Sequence, residues 1–117
     1  MNQFPYIFYT NNYGNKIVGF ASYYMLLKPT FNGIKKDLIL FSIAVDPEYR
    51  GCGYGERLLF KSIDEIGKNL CNSVSLCVRT TNIPALSLYN KAGFKVIKEV
   101  PNMYEKEESG YHMILNF

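Results

Sequence analysis

A glycine-rich segment follows an apolar stretch and precedes an amphipathic one near the middle of this chain. The apolar stretch is LILFSIAV at 38–45, and after DPEYRGCGYG the sequence continues with ERLL in helical spacing. Gly51, Gly53 and Gly55 allow the backbone to approach an anion closely, and a helix that begins there directs its free N–H groups and positive dipole end at the same point. The order of strand, loop and helix predicts a phosphate-binding loop, with Arg50 as a cation at its entrance.

Two other phosphate-binding motifs do not fit these residues. A P-loop needs a Gly-Lys pair, and this chain contains none. The dinucleotide fingerprint needs a glycine three residues after Gly53, where this sequence has Glu56. For the loop taken by itself, the remaining alternative is a tight strand-to-helix turn that binds no ligand.

The rest of the chain alternates between strand and helix patterns. Periodic apolar residues at 58, 59, 63, 66 and 70 predict an amphipathic helix. The strand-like stretches on either side of it, at 38–45 and 73–78, are typical of a parallel crossover unit, and the apolar stretch at 38–45 is expected to be a central strand. The fold class is therefore mixed α/β (α+β). We predict strands at 6–9, 17–27, 38–45, 73–78, 94–100 and 111–117, helices at 54–69 and within 82–94, and loops at 28–36 and 105–110.

Composition limits the classes of function. A chain of 117 residues supports one core, so we expect a single domain over 1–117. The formal charge of +3 is far from the dense basic surface of nucleic-acid binders, and no stretch is apolar enough to span a membrane. Cys52, Cys71 and Cys77 suit a reducing compartment and have no metal-site spacing. We expect a cytoplasmic protein without a metal, a nucleic-acid partner or a membrane partner.

A second motif, NIPALSLYNKAGF at 82–94, makes the first one specific. Pro84 suits the first turn of a helix, and Gly93 suits its end. Together the two motifs resemble the GNAT superfamily of N-acetyltransferases, in which an Arg/Gln-x-x-Gly-x-Gly/Ala loop holds the pyrophosphate of CoA. Residues 38–94 are most similar to the ribosomal-protein alanine N-terminal acetyltransferases and related protein N-terminal acetyltransferases.

The resemblance implies a mostly antiparallel twisted sheet with two main helices. Its central parallel strands, at 38–45 and 73–78, would splay so that acetyl-CoA, the cosubstrate, lies between them. The implied cofactor-binding residues are Ile43, Ala44, Val45, Arg50, Gly51, Cys52, Gly53, Tyr54, Gly55, Asn82 and Tyr89.

Tyr89 is the candidate catalytic residue. A phenol with a pKa near 10 stays protonated at neutral pH and can donate to the departing thiolate. The competing interpretation is a core tyrosine on the face shared by Ala85 and Leu86. Asn82 also has two roles open to it, a hydrogen bond to the pantetheine or the cap of its own helix.

Two departures from the family pattern concern the acceptor. Cys77 stands where the N-terminal alanine enzymes carry a glutamate that is taken to be the general base. In addition, family members usually begin with a strand and two helices that form the wall of the acceptor site, and these residues do not match that segment. We expect acetyl transfer to a primary amine, either a protein N-terminus or a small molecule. The alternative is a catalytically inactive CoA-binding module or subunit with an incomplete acceptor site. A partner chain, such as a second copy in a homodimer, is a separate expectation and would supply the wall.

Overall fold

The computed structural model of the protein describes residues 6–69 and 71–117, and its side chains from Thr10 onward except those of 11, 68 and 69. Its elements are β1 (Tyr6–Tyr13), β2 (Lys16–Thr30), β3 (Gly33–Val45), a 3-10 turn (Pro47–Tyr49), α1 (Tyr54–Asn69), β4 (Ser73–Arg79), α2 (Ile83–Lys91), β5 (Lys95–Glu105) and β6 (Glu108–Asn116). They form one sheet in the order β1-β2-β3-β4-β6-β5. Its described strand pairs are antiparallel except for β3 with β4, which confirms the predicted fold class.

The predicted loop at 28–36 is wrong. β2 and β3 continue through it as a hairpin in which Lys28 pairs with Lys35 and Thr30 with Gly33. The Thr30 hydroxyl donates to the Gly33 carbonyl at 2.7 Å and accepts from the Asn32 N–H at 3.3 Å, and these bonds close the turn. Pro29 suggested a break, but the described pairing of β1 with β2 reaches only Tyr24, so Pro29 lies where β2 has β3 on one side and no described strand on the other, and a proline is tolerated at such an edge.

The predicted loop at 105–110 is also too long. β5 and β6 run almost to one another, with Glu105 opposite Glu108. Asn102 and Glu107 both have positive φ, and the Asn102 side chain accepts from the Glu107 N–H at 2.7 Å. A hydrogen bond from a backbone N–H to a side chain of this kind takes the place of a backbone turn. The alternation of polar and apolar residues in the sequence does not predict such a hydrogen bond.

The core lies between the sheet and the two helices. α1 buries the predicted stripe of Leu58, Leu59, Ile63 and Ile66, while Leu70 lies outside the described residues. The stripe packs in one cluster with sheet residues and with Tyr89 and Phe94 from the region of α2. The two crossover connections lead in the same direction across the sheet, and their right-handed sense puts both helices on one face.

The parallel strands part beyond a bulge. Ser22 pairs with Ser42 but Tyr23 pairs with Leu40, so Phe41 is an extra residue in β3. The pairing of β3 with β4 covers Asp37 to Ile39 and does not continue past the bulge. The sheet is therefore open from Leu40 onward, as the expected splay requires.

Candidate active site

Two adjoining cavities occupy the opening between the parallel strands. The first, which we call the loop cleft, has a volume of about 700 Å³ and lies between the glycine loop, the end of β3 and the first turns of α2. The second, the sheet cleft, has a volume of about 300 Å³ and lies between β3 and β4 where they separate. Ile43, Asn82 and Ala85 line both, so the two cavities are direct neighbours.

The glycine loop has the backbone geometry of an anion site. Gly51 and Gly53 have φ values of +80° and +82°, a region that other residues adopt only with strain. The helical hydrogen bonds of α1 begin with the Arg57 N–H, which donates to the Gly53 carbonyl at 3.0 Å. The N–H groups of the three preceding residues consequently have no partner within the helix and lie at the rim of the loop cleft, which Tyr54 and Gly55 line.

Arg50 joins this loop to the end of β3. Its Nε donates to the Val45 carbonyl at 3.1 Å, and its exposed side chain lines the loop cleft together with Ala44 and Val45. The guanidinium thus fixes the entry of the loop and adds a positive charge beside it. The Cys52 side chain is exposed, with its Sγ 3.9 Å from the Arg50 carbonyl, and it is not among the residues that line either cleft.

Asn82 caps α2 and also borders the ligand path. Its Oδ1 accepts from the Ala85 N–H at 3.3 Å, which confirms the capping interpretation. Because the same residue lines both clefts, the cap does not exclude the second role. Contact between Asn82 and a ligand stays a prediction.

Tyr89 belongs to the core and to the sheet cleft at once. It is 8% exposed, and its ring packs edge-on against Phe94 with 5.8 Å between centroids. No described residue hydrogen-bonds its hydroxyl. Burial, with a smaller contribution from Tyr104, raises the pKa of Tyr89 above its ordinary value of 10.0. The phenol is therefore neutral at physiological pH and able to donate.

No carboxylate is among the described residues that line the sheet cleft. Cys77 lines it, and desolvation raises the pKa of this thiol above 9.0, so it is uncharged at neutral pH and cannot serve as the missing base. Glu56 lines the loop cleft but forms an ion pair with Lys91 of α2. Glu48 lies in the 3-10 turn outside both linings.

Arg79 and Tyr104 also border the site. Both line the sheet cleft, with the Arg79 guanidinium over the Tyr104 ring at 4.6 Å and paired with Glu108 at 3.7 Å. The available signal was the strand alternation, which places Arg79 on the same face of β4 as Cys77. Tyr104 reaches the cleft from the stretch of β5 in which the pairing with β6 is irregular.

The sequence profile of the acetyltransferase (GNAT) family matches residues 2–94. The chain belongs to the GNAT acetyltransferase family. Within it, the chain is similar to the ribosomal protein bS18-alanine N-acetyltransferase of Haemophilus influenzae, with 35% identity over 96 residues, 82% of this chain and 60% of that enzyme.

Solved structures of GNAT proteins share the fold. The ribosomal-protein-S18-alanine N-acetyltransferase of Escherichia coli superposes with a TM-score of 0.78 at 30% identity, over 95% of this chain and 68% of that one. Naa50 of Arabidopsis thaliana, crystallised with the bisubstrate analogue CoA-Ac-MVNAL, gives 0.71 at 27% identity, over 90% of this chain and 69% of that one. This GNAT chain therefore spans about two thirds of the length of these structures.

Two further observations concern the described part of this GNAT chain. No helix in it is long and apolar enough to cross a membrane. Its His, Cys, Asp and Glu side chains form no group of three or more that could hold a metal ion.

Proposed function

We propose that the protein transfers the acetyl group of acetyl-CoA to the α-amine of a protein N-terminus. The observation that carries this proposal is the pair of adjoining clefts, one at the glycine loop and one beside Tyr89, at the gap between β3 and β4. A ligand that fills it has an anionic end at the loop and a reactive end beside a buried phenol. Acetyl-CoA has this shape and charge distribution.

The donor would be held mainly by backbone groups. The N–H groups in the first turn of α1, which have no acceptor within the helix, and the glycines with positive φ suit a pyrophosphate. Past Ile39, β3 pairs with β2 on one side and has no β4 partner on the other, so the N–H and C=O groups on that edge are available to the pantetheine amides. The residues we assign to the donor are Ile43, Ala44, Val45, Arg50, Gly51, Cys52, Gly53, Tyr54, Gly55, Asn82 and Tyr89, with Cys52 contributing through its backbone alone.

The reaction needs no covalent enzyme intermediate. The neutral amine attacks the thioester carbonyl, the new C–N bond forms, the C–S bond breaks, and the amine loses a proton to water. A backbone N–H near Val45 stabilises the developing oxyanion, and the Tyr89 hydroxyl donates a proton to the leaving sulfur. Burial favours this role because it keeps the phenol protonated.

The lack of a carboxylate in the sheet cleft bears on the class of acceptor. An α-amine with a pKa near 8 is partly neutral at pH 7, whereas a lysine amine near 10.4 requires a strong base. The cleft-lining residues described here provide no such base. This supports a protein N-terminus over a lysine side chain, in agreement with the reaction named for the Haemophilus influenzae relative.

The state of the cysteines bears on the cellular compartment. The three cysteines are unpaired, and Cys52 and Cys77 are exposed, which suits a reducing compartment. We therefore place the reaction in the cytoplasm and treat 1–117 as one acetyltransferase domain. Light scattering would measure whether the chain forms a homodimer.

The test is an acetylation assay with paired acceptors. Purified protein is mixed with acetyl-CoA and a peptide that begins with alanine and contains an internal lysine, and mass spectrometry locates the added acetyl group. The matched control is the same peptide with a blocked N-terminus. We expect acetylation of the free N-terminus and none of the blocked peptide.

Other outcomes would identify other functions. Turnover on a polyamine but on neither peptide would favour a small-molecule acceptor. Acetyl-CoA binding without turnover on any acceptor would favour the inactive CoA-binding module. Absence of any thermal shift with excess acetyl-CoA would contradict the donor site itself, because a ligand far above its dissociation constant stabilises the fold by a few kcal/mol.

A further inference from the structure

Cys77 is a nucleophilic side chain of the sheet cleft that the acetyl transfer described above does not use. It lies in β4 two residues beyond Ser75, where the pairing of β4 with β3 ends, and it lines the cavity between the two strands. Its thiol is exposed and forms no disulfide. A thiol in this position borders the space in which the thioester of acetyl-CoA would react.

The same cleft contains a buried polar group without a partner. Tyr89 is 8% exposed, and no described residue hydrogen-bonds its hydroxyl. A buried hydroxyl that lacks a partner indicates a ligand with a polar atom at that point. Tyr104 interacts electrostatically with both Tyr89 and Cys77, so the thiol and the two phenols belong to one group of side chains around the cleft.

The only histidine of the chain lies directly opposite Cys77. β4 and β6 pair without a register shift from Ser73 to Arg79, and Cys77 faces His112 in that register. Residues directly opposite one another in an antiparallel pair point to the same face, with about 4.5–5.5 Å between their Cβ atoms. The thiol therefore has the cleft on its β3 side and an imidazole on its β6 side. Nucleophile and base are neighbours in many enzymes that form covalent intermediates.

The surroundings of Cys77 make its thiol slow towards reagents in solution. Desolvation raises the pKa of Cys77 above its ordinary value of 9.0, so few molecules carry the reactive thiolate at neutral pH. A thioester held in the cleft offsets this, because a bound reactant is presented at a high effective concentration. An imidazole beside the thiol can take its proton as the sulfur attacks. The site therefore favours a bound thioester over a free one.

We propose that Cys77 accepts the acetyl group of bound acetyl-CoA when no amine occupies the cleft. The inference rests on the donor proposed above and adds a second acceptor to it. The Cys77 Sγ attacks the thioester carbonyl, a new C–S bond forms, and the bond from the carbonyl carbon to the CoA sulfur breaks. The thiol proton passes to His112 and then to solvent, while the CoA sulfur takes a proton from Tyr89 that solvent replaces. One thioester replaces another, so the step needs no oxidant and is reversed by CoA.

Mass spectrometry of the protein after incubation with acetyl-CoA and no amine tests this inference. We expect one acetyl group on Cys77, which hydroxylamine at neutral pH and an excess of CoA both remove, because each attacks a thioester and leaves an amide intact. Cys52 and Cys71 are internal references, since neither lines either cleft. Cys77 should acquire the acetyl group at least about tenfold faster than these two cysteines, because only Cys77 borders the bound thioester.

Variants separate the thiol from its base. Cys77→Ser should lose the hydroxylamine-sensitive acetyl group, and the matched control Cys71→Ala should keep it. His112→Ala should slow the acetylation of Cys77 roughly hundredfold, the lower end of the range for a general base, with unchanged affinity for acetyl-CoA. Free imidazole should restore part of the rate in His112→Ala, which it would not do if His112 only packed in the sheet.

The remaining outcomes would count against the inference. Acetylation of a peptide N-terminus while Cys77 stays unmodified would overturn it and leave the proposed function intact. An acetyl group that resists hydroxylamine, or that Cys52 and Cys71 acquire as fast as Cys77, would also overturn it. An unchanged rate in His112→Ala, or a slower rate that imidazole does not restore, would overturn the role of His112. If acetyl-CoA gives no thermal shift with the wild type, the donor proposal fails together with the inference.

Discussion

Single residues in this protein serve the core and the clefts together. Tyr89 is open to two interpretations from the sequence, core residue or proton donor; the structure shows the core packing, and the proton-donor role stays a proposal. Its ring packs on Phe94, while the residue borders the sheet cleft. The sequence could not separate the two roles because an apolar environment is what both require.

Replacing Tyr89 with phenylalanine tests the donor role. The ring contacts would persist and no hydrogen bond to a described residue would be lost, so stability and acetyl-CoA affinity should change little. Without the proton donor, kcat should fall roughly tenfold to hundredfold, at or below the lower end of the usual range for general acids, because a thiolate is a fair leaving group. Steady-state kinetics and a direct binding measurement give both quantities. Unchanged kcat would assign Tyr89 to packing alone.

The pKa shift of Tyr89 gives that test a pH signature. Because the pKa is raised, the phenol binds its proton at every pH below about 10, so its ionisation causes no loss of kcat in that range. The wild-type and Tyr89→Phe profiles should therefore run parallel from neutral pH to about pH 9. A phenol-dependent fall in the wild type within this interval would contradict the raised pKa.

At the scale of elements, what the sequence could predict follows from periodicity. The apolar stripe of α1 predicted the first helix, and Asn82 at the start and Gly93 after the end of α2 predicted the second. Packing and capping both leave clear patterns in a sequence. The hairpin at 28–36 was not predicted because its arm extends past the rest of the sheet and its side chains are exposed. The sequence there consequently shows no alternation of apolar and polar residues. Strand pairing depends on partners distant in sequence, and single-chain patterns carry little of that information.

The junction of the glycine loop with α1 allows a matched pair of substitutions. An alanine Cβ at Gly53 would touch nothing within 4 Å, yet its φ of +82° is unfavourable for alanine by about 1–2 kcal/mol. At Gly55 the φ is ordinary, and an added Cβ would lie 3.6 Å from Val45 Cγ2, a normal contact. Gly53→Ala should weaken both stability and acetyl-CoA affinity, while Gly55→Ala should be close to neutral in stability. Urea unfolding and calorimetry measure these effects, and equal effects at both positions would contradict the requirement for positive φ.

On the scale of the whole molecule, three residue pairs join the two halves of the sheet. β3 pairs with β4 at Asp37, Leu38 and Ile39, Lys36 adds two hydrogen bonds with Asn72 just before β4, and helix packing joins the two halves further. At one end of this seam Asp37, which is 5% exposed, accepts from the Ser73 hydroxyl and pairs with Lys28 at 3.1 Å. Burial acts to raise the pKa of Asp37, but the bonds from Ser73 and Lys28 outweigh it, and the pKa is lowered.

This carboxylate should make stability depend on acid. A lowered pKa contributes stability that is present above the unfolded value near 3.9 and is lost as the pH falls through the folded value. Asp37→Asn should therefore reduce the free energy of unfolding by about 1–3 kcal/mol at neutral pH and by less in acid. Glu65→Gln, on the exposed side of α1, is the control. Urea titrations at neutral pH and near pH 3 give the comparison, and an equal loss at both would contradict the role of the charge.

The extra residue at Phe41 restricts how the chain can change in length. Before it, the even-numbered Leu38 and Leu40 of β3 contribute to the core, and after it the odd-numbered Ile43 does, while Val45 reaches toward Gly55. Removing one residue from this stretch would exchange the two faces over the whole end of the strand and rotate the start of the glycine loop with it. The end of β3 can consequently accept substitutions far more readily than an insertion or a deletion. A variant that gains or loses one residue there should lose affinity for acetyl-CoA while its core still folds.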